Sequence, residues 1–291
     1  MRTYLECVPC FVRQALDAST LVTADPAVHE RVLRETLRLA AEMRFDRPPP
    51  WMGQKIHQLL KEATGNPDPY RQEKERSNAL ALGLYPALKH QVRSSADPFA
   101  AAVRLAIAGN IIDFGCKSRI TEDEVHQAIE AAMRDPIDET GLEDLRRSVE
   151  QAGDILYLAD NAGEIVLDRL LLEEMPAEVV TVVVKGSPII NDATLEDAEA
   201  AGLTSLVKVI DNGSDVPGTI LELCSPSFRE RLASCDLVIS KGQGNYETLS
   251  GLDGRAFFLL KAKCPVIARD LGCEIGQMVV CRGRTSAWET A

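Results

Sequence analysis

From about residue 150 onward the chain is a series of short runs that are apolar from end to end. They cover residues 155–159, 179–184, 206–210, 237–240, 256–260, 265–268 and 278–281, and helical segments lie between them. A strand that is apolar throughout has both of its faces covered. Such strands alternating with helices predict a parallel sheet with helices on either side. The last ten residues, 282–291, read as a loose tail.

The first 150 residues lack this rhythm. Ala, Leu, Glu and Arg dominate, and apolar residues such as Val8, Phe11, Val12, Ala15 and Leu16 recur at helical spacing. The Pro-rich stretch 46–51 and the turn 64–69 punctuate the helices. Thr121 with Glu124 has the spacing of a capping box. The expectation is two units: a helical bundle or cap over 1–150 and an α/β domain over 151–291.

Four successive strands end in similar chemistry. Asp160-Asn161 follows the first and Lys185-Gly186-Ser187-Pro188 the second. Asp211-Asn212-Gly213 follows the third and Lys241-Gly242-Gln243-Gly244-Asn245 the fourth. In a parallel sheet these clusters share one edge, where ligands of open α/β sheets bind. An anion is favoured at a helix N-terminus, but a carboxylate there opposes it unless a cation lies between. Asp160, Asn161 and Asp192, with Asn191 beside them, are oxygen donors suited to Mg²⁺, Mn²⁺ and similar hard ions. The plainer alternative is that Asp160 and Asp192 cap helices. Lys241 with Gly242 and Asn245 has the look of a phosphate loop, with Lys185 as added charge. It is neither a Walker A loop nor a Gly-x-Gly-x-x-Gly fingerprint.

Two features of the helical half stand apart. Asn110 and Asp113 share a face of an otherwise apolar helix, which marks a face meeting something polar or a helix end. Cys7 and Cys10 form a CxxC pair without a second pair or a His pair, so a closed zinc site has little support. Cys116 is a candidate third ligand in a metal or redox site, the alternative being buried thiols. The four histidines lie outside every strand-end cluster, and no Ser-His-Asp set can be assembled.

A net charge of −12 argues against nucleic acid or an anionic membrane as the main partner. No apolar run approaches a membrane span, and residues 1–10 have no signal-peptide core. The expectation is a cytoplasmic protein whose eight cysteines are mostly thiols.

Taken together, the segments CVPCFVRQAL, ATGNPDPYRQEKERSN, AGNIIDFG, LADNAGEIVLD, KGSPIINDAT, VIDNGSDVPGT and SKGQGNYETL run nearly the whole length. In order and spacing they resemble the DUF89 family of metal-dependent damage-control phosphatases, in its prokaryotic branch with the N-terminal CxxC. The resemblance implies a helical N-terminal domain on a Rossmann-like α/β/α parallel-sheet domain. It also implies hydrolysis of small phosphomonoesters, such as sugar phosphates or phosphopantetheine derivatives, with Mn²⁺, Ni²⁺, Co²⁺ or Mg²⁺. On the matching motifs Asp160, Asn161 and Asp192 hold the metal and Lys241 contacts phosphate. By the same resemblance Asn110, Asp113, Glu164 and Asn191 are expected to line the substrate, and the strand-end reading adds Lys185, Gly242 and Asn245.

On that reading one ion held by Asp160, Asn161 and Asp192 polarises the phosphate, and Lys241 neutralises the remaining charge. Three other classes compete. They are a non-catalytic binder of phosphate ligands, a carboxylate methyltransferase, and a metal or redox protein centred on Cys7, Cys10 and Cys116. Substrate identity and oligomeric state are not legible.

Overall fold

The computed structural model describes residues 1–109 and 122–283, with backbone only at 122–126 and 128. Asn110, Asp113, Cys116 and the Thr121 capping box therefore lie outside the described residues, as does most of the predicted tail. The described N-terminal half is helical: α1 (Cys7–Val22), α2 (Pro26–Glu42), α3 (Pro49–Thr64), α4 (Arg71–Ser94), α5 (Pro98–Ala108), α6 (Glu122–Arg134) and α7 (Glu139–Gln151). Local chemistry sets their starts. Asp25 and Asp97 accept from the backbone N–H of Ala27 and Ala100, each just before a proline at the first helical position. Gly65 ends α3 at φ +66°.

Strands and helices then alternate: β1 (Ile155–Leu158), α8 (Glu164–Leu172), β2 (Val180–Val184), α9 (Leu195–Ala200), β3 (Lys208–Asp211), α10 (Pro226–Ser234), β4 (Leu237–Lys241), α11 (Gly242–Leu249), β5 (Ala256–Lys261), α12 (Pro265–Leu271) and β6 (Met278–Arg282). The sheet order is β3-β2-β1-β4-β5-β6. β1 pairs in parallel with both β2 and β4, so the strand order reverses direction beside it. That is the switch point of a doubly wound sheet, where the ends of two strands splay apart and leave a crevice.

Two expectations need correction. Residues 265–268 form the first turn of α12, because Pro265 at the first helical position has its φ preset for a helix. The sheet is also not wholly parallel, since β6 runs antiparallel to β5. Ala262 N–H donates to Gln277 O at 3.0 Å and Gly276 N–H to Ala262 O at 2.7 Å. These bonds return the chain to the point where it left β5, so the next strand must run back.

Side chains alternate across the sheet. Ile155, Tyr157, Leu237, Ile239, Phe257 and Leu259 face a large core shared with α4, α5, α7 and α8. Leu156, Leu158, Val238, Phe258 and Leu260 face the other layer, built on α10, α11 and α12. A third apolar cluster, including Phe11, Val32, Met52, Ile56 and Leu60, joins α1, α2 and α3. Among the described residues no helix is long and apolar enough to cross a membrane.

Candidate active site at the switch point

Two loops meet at the carboxyl end of β1. The segment after β1 and the segment 185–194 after β2 are stitched together by backbone bonds. Ala193 N–H donates to Asp160 O at 2.8 Å and Ala162 N–H to Asn191 O at 2.8 Å. Asn161 and Asp192 are bridge partners, as are Lys185 and Thr194. The stitching holds Asp160, Asn161, Asn191 and Asp192 in one buried group. None of the four caps a helix: Gly163 stands at the start of α8, and Thr194 caps α9 in a capping box with Asp197.

The group is strongly acidic for its depth. Asp160 lies well above the usual carboxylate range because burial penalises its charge, and the neighbouring Glu164 and Asp192 charges add to this. The opposing cations are Lys263 and Lys185. Lys185 Nζ is 3.4 Å from Asp192 Oδ2 and also donates to Gly218 O. Gly242, at the start of α11, lies against Asp160 with φ +79°. A Cβ there would fall 1.8 Å from Asp160 Oδ2. Only glycine fits, both for its backbone and for the space the carboxylate occupies.

Behind this group is a second, fully enclosed layer. Glu164 Oε2 accepts from Asn161 Nδ2 at 3.1 Å, while Asp160 Oδ2 accepts from the same nitrogen at 2.9 Å. Glu164 Oε1 accepts from Lys241 Nζ at 2.7 Å. Lys241 Nζ also donates to Ala106 O at 2.8 Å and to Asp168 Oδ1. Burial alone would lower the Lys241 ammonium, but Asp168 and Glu164 more than reverse this and hold it above its ordinary value. Asp168 is pushed up to about 6 by burial, opposed by Lys241 and reinforced by Glu164.

Lys241 belongs to this enclosed layer. Its three N–H donors meet three acceptors inside the protein, and it is fully buried. It follows Leu237 and Ile239 at every second position of β4, on the face that packs under α5 and α8. It therefore braces Glu164 through an ion pair inside this layer. Asn245 is likewise committed to the scaffold. Its amide donates to Ala159 O at 3.2 Å and Lys241 O at 2.9 Å and accepts from Thr219 Oγ1 at 2.7 Å.

The helical half contributes groups that strand-end reasoning passes over. Asn78, on α4, accepts from Gly163 N–H at 2.7 Å and donates to Asp197 Oδ1 at 2.9 Å. Lys74, one turn earlier, pairs with Asp197 at 2.8 Å. A Cβ on Gly163 would fall 2.9 Å from Ser77 Cβ, so α4 packs directly on the turn after β1. Asp168 had a readable signal, being an acid four residues after Glu164 in a helix otherwise apolar from 165 to 172 apart from Arg169. Lys263 had one too, as a cation just beyond β5 on the same sheet edge.

The chain-wide comparisons bear on this site. The Damage-control phosphatase ARMT1-like domain matches residues 3–279. A damage-control phosphatase of Pyrococcus horikoshii is 36% identical over 289 residues, covering 98% of this chain and 99% of the relative. The chain belongs to the damage-control phosphatase family. A damage-control phosphatase of Archaeoglobus fulgidus is 36% identical over 282 residues, covering 94% of this chain and 96% of its own. The crystal structure of a DUF89 family protein from Pyrococcus horikoshii superposes with a TM-score of 0.88 at 37% identity, covering 98% of this chain and all of that one.

Membership in this phosphatase family frames the donor set. Two carboxylates and one amide, delivered by two loops onto one spot, are hard oxygen ligands of the type that Mg²⁺ and Mn²⁺ take. Burial raises Asp160 first, the Glu164 and Asp192 charges add to it, and a cation held here would oppose both, as Lys263 and Lys185 already do in part. With Asn161 Nδ2 turned to Asp160 and Glu164, its Oδ1 is left for an ion. The residues thus fit a divalent metal. Among the described residues no three His, Cys, Asp or Glu side chains form a ready cluster, so the amide is needed to complete the set. The cysteines sit elsewhere, in the opening turn of α1. Burial raises both the Cys7 and Cys10 thiols, and among the described residues Cys264, just before α12, is a thiol near both.

Proposed function

We propose that the chain is a divalent-metal-dependent phosphomonoester hydrolase acting on small phosphorylated metabolites, sugar phosphates or phosphopantetheine derivatives among them. The observation that supports this most is the convergence of Asp160, Asn161 and Asp192 at the switch point, with Lys185 and Lys263 as the nearby cations. Asp160, Asn161 and Asp192 would hold Mn²⁺, Ni²⁺, Co²⁺ or Mg²⁺, which when bound supplies charge neutralisation to the phosphate. Phosphoryl transfer otherwise needs little from the protein beyond positioning and electrostatics.

The side chains divide that work. Lys263, exposed near Asp160, offsets the charge of the dianionic ester, and the buried Lys185 beside Asp192 adds positive charge behind it. Lys241 pairs with Glu164, and Glu164 in turn fixes the Asn161 amide. Gly242 gives Asp160 room to stand beside the N-terminus of α11. Asn191, and Asn110 and Asp113 outside the described residues, remain proposed as substrate-lining groups.

The test is a pair of measurements on Asp192→Ala. Calorimetric titration with Mn²⁺ and hydrolysis of p-nitrophenyl phosphate should both be lost, with the fold retained by circular dichroism. Chelation of the wild type should silence hydrolysis, and Mn²⁺ should restore it. Full hydrolysis by Asp192→Ala, or by the exhaustively chelated wild type, would refute the proposal.

A further inference from the structure

The loop that carries Asn191 and Asp192 is bent in an unusual way. Ile190 has φ +44° and is the one non-glycine residue with positive φ among those described. It is the second residue of a turn closed by Asp192 N–H donating to Ile189 O at 3.0 Å. A turn of this kind ordinarily places glycine there. A β-branched residue in that region is strained, and strain persists only where the surroundings enforce it.

The surroundings are the helical half. Ile190 packs against the apolar cluster of α1–α3, whose members include Phe11, Met52, Ile56 and Leu60. α3 grips the same loop a second time, where Lys61 Nζ donates to Pro188 O. On its far side the loop is bonded to the mouth of β1 through Asn191 O and Ala193 N–H. The strained residue is thus fixed between a helical core and the segment bearing Asp160. Glycine would relieve the backbone but could not reach into that core.

We propose that Ile190 is a positioning residue through which the α1–α3 core holds Asp192 against Asp160. The affinity for a divalent ion then depends on an apolar contact made by helices that carry none of its ligands. This rests on the metal reading given above. Truncating the anchor frees the turn and lets the Asp192 carboxylate move out of register with Asp160.

The experiment titrates Mn²⁺ calorimetrically into the full-length wild type and into Ile190→Ala, Ile190→Gly, Ile190→Leu and Asp192→Ala. Urea unfolding identifies conditions in which all are folded. The Ala and Gly variants should bind Mn²⁺ about tenfold more weakly or worse, a change of about 1.4 kcal/mol. Ile190→Leu, which keeps the apolar anchor, should stay within about threefold, or under about 0.7 kcal/mol. Ile190→Gly is the decisive variant, because it removes the strain and the anchor together. Wild-type affinity in Ile190→Gly, with binding lost in Asp192→Ala, overturns the anchor alone. Wild-type affinity in Asp192→Ala overturns the ligand assignment and the anchor with it.

Discussion

Gly242→Ala is the sharpest perturbation of the site that removes no charged side chain. Two effects add. The residue opens α11 at φ +79°, where an alanine is disfavoured by roughly 1–2 kcal/mol. The new methyl carbon would also lie 1.8 Å from Asp160 Oδ2 and 2.3 Å from its Cγ. Non-bonded heavy atoms sit comfortably at about 3.5–4.0 Å, so one partner must retreat by roughly 2 Å. The Asp160 backbone cannot, since its carbonyl is tied to Ala193 N–H and the preceding residue to Val183 O. The carboxylate must therefore swing away, breaking its 2.9 Å bond to Asn161. A displacement of about 1 Å at a reacting centre typically costs ~10²-fold in rate. We expect at least that loss in p-nitrophenyl phosphate hydrolysis and a matching loss of Mn²⁺ binding. Overpacking and backbone strain should cost about 2–4 kcal/mol in urea unfolding. Gly251→Ala is the control, because a Cβ there meets nothing within 4 Å and φ is not positive; it should change neither quantity. Wild-type Mn²⁺ affinity and turnover in folded Gly242→Ala would show that Asp160 is not a ligand in this position.

Two further outcomes follow from the charged groups. Lys263→Met and Lys241→Met should differ in kind. The first removes an exposed cation near Asp160 and should slow hydrolysis while leaving the urea midpoint nearly unchanged. The second strands Glu164 and Asp168 without their ammonium and should cost about 3–5 kcal/mol of stability. A stable Lys241→Met with intact hydrolysis would contradict the bracing role. His57 supplies a pH signature. It is enclosed between Tyr70 Oη at 3.1 Å and Gln14 Nε2 at 3.3 Å, and burial, aided by the Lys61 charge, lowers it from 6.5 to about 3. Between those values the unfolded chain binds a proton that the folded chain does not. Stability is therefore full above about pH 6.5 and falls as pH drops towards 3, by on the order of 4 kcal/mol. His57→Gln should flatten this part of the pH profile of unfolding, and an unchanged slope would remove His57 as its source.

How far the sequence carries can be judged at Asp160 and Lys241, which sit at neighbouring strand ends. The apolar runs announce the strands, and a parallel sheet puts their ends on one edge, so Asp160, Asn161, Asp192 and Lys185 were legible as one group. What a run does not announce is its neighbours in the sheet. The pairing of β1 with both β2 and β4 comes from long-range packing, and so does the switch point. The strand at 265–268 failed for a local reason, since three apolar residues after Cys264-Pro265 suit a helix start as well as a strand. Lys241 is more instructive. Its place after an apolar run and before two glycines suggested a phosphate contact, as did the family resemblance. Yet the alternation of β4 was already in the sequence: Leu237, Ile239 and Lys241 share a face, and that face is apolar. A lysine at such a position must find acids within the layer above it or lose its charge. The layer above is α8, and its apolar face carries two acids one turn apart, Glu164 and Asp168. Neither signal is informative alone, because an acid in a helix or a lysine at a strand end is ordinary. Matched, they point to a buried ion pair, and the Glu164 of that pair holds the amide at Asn161 on which the proposed metal site depends.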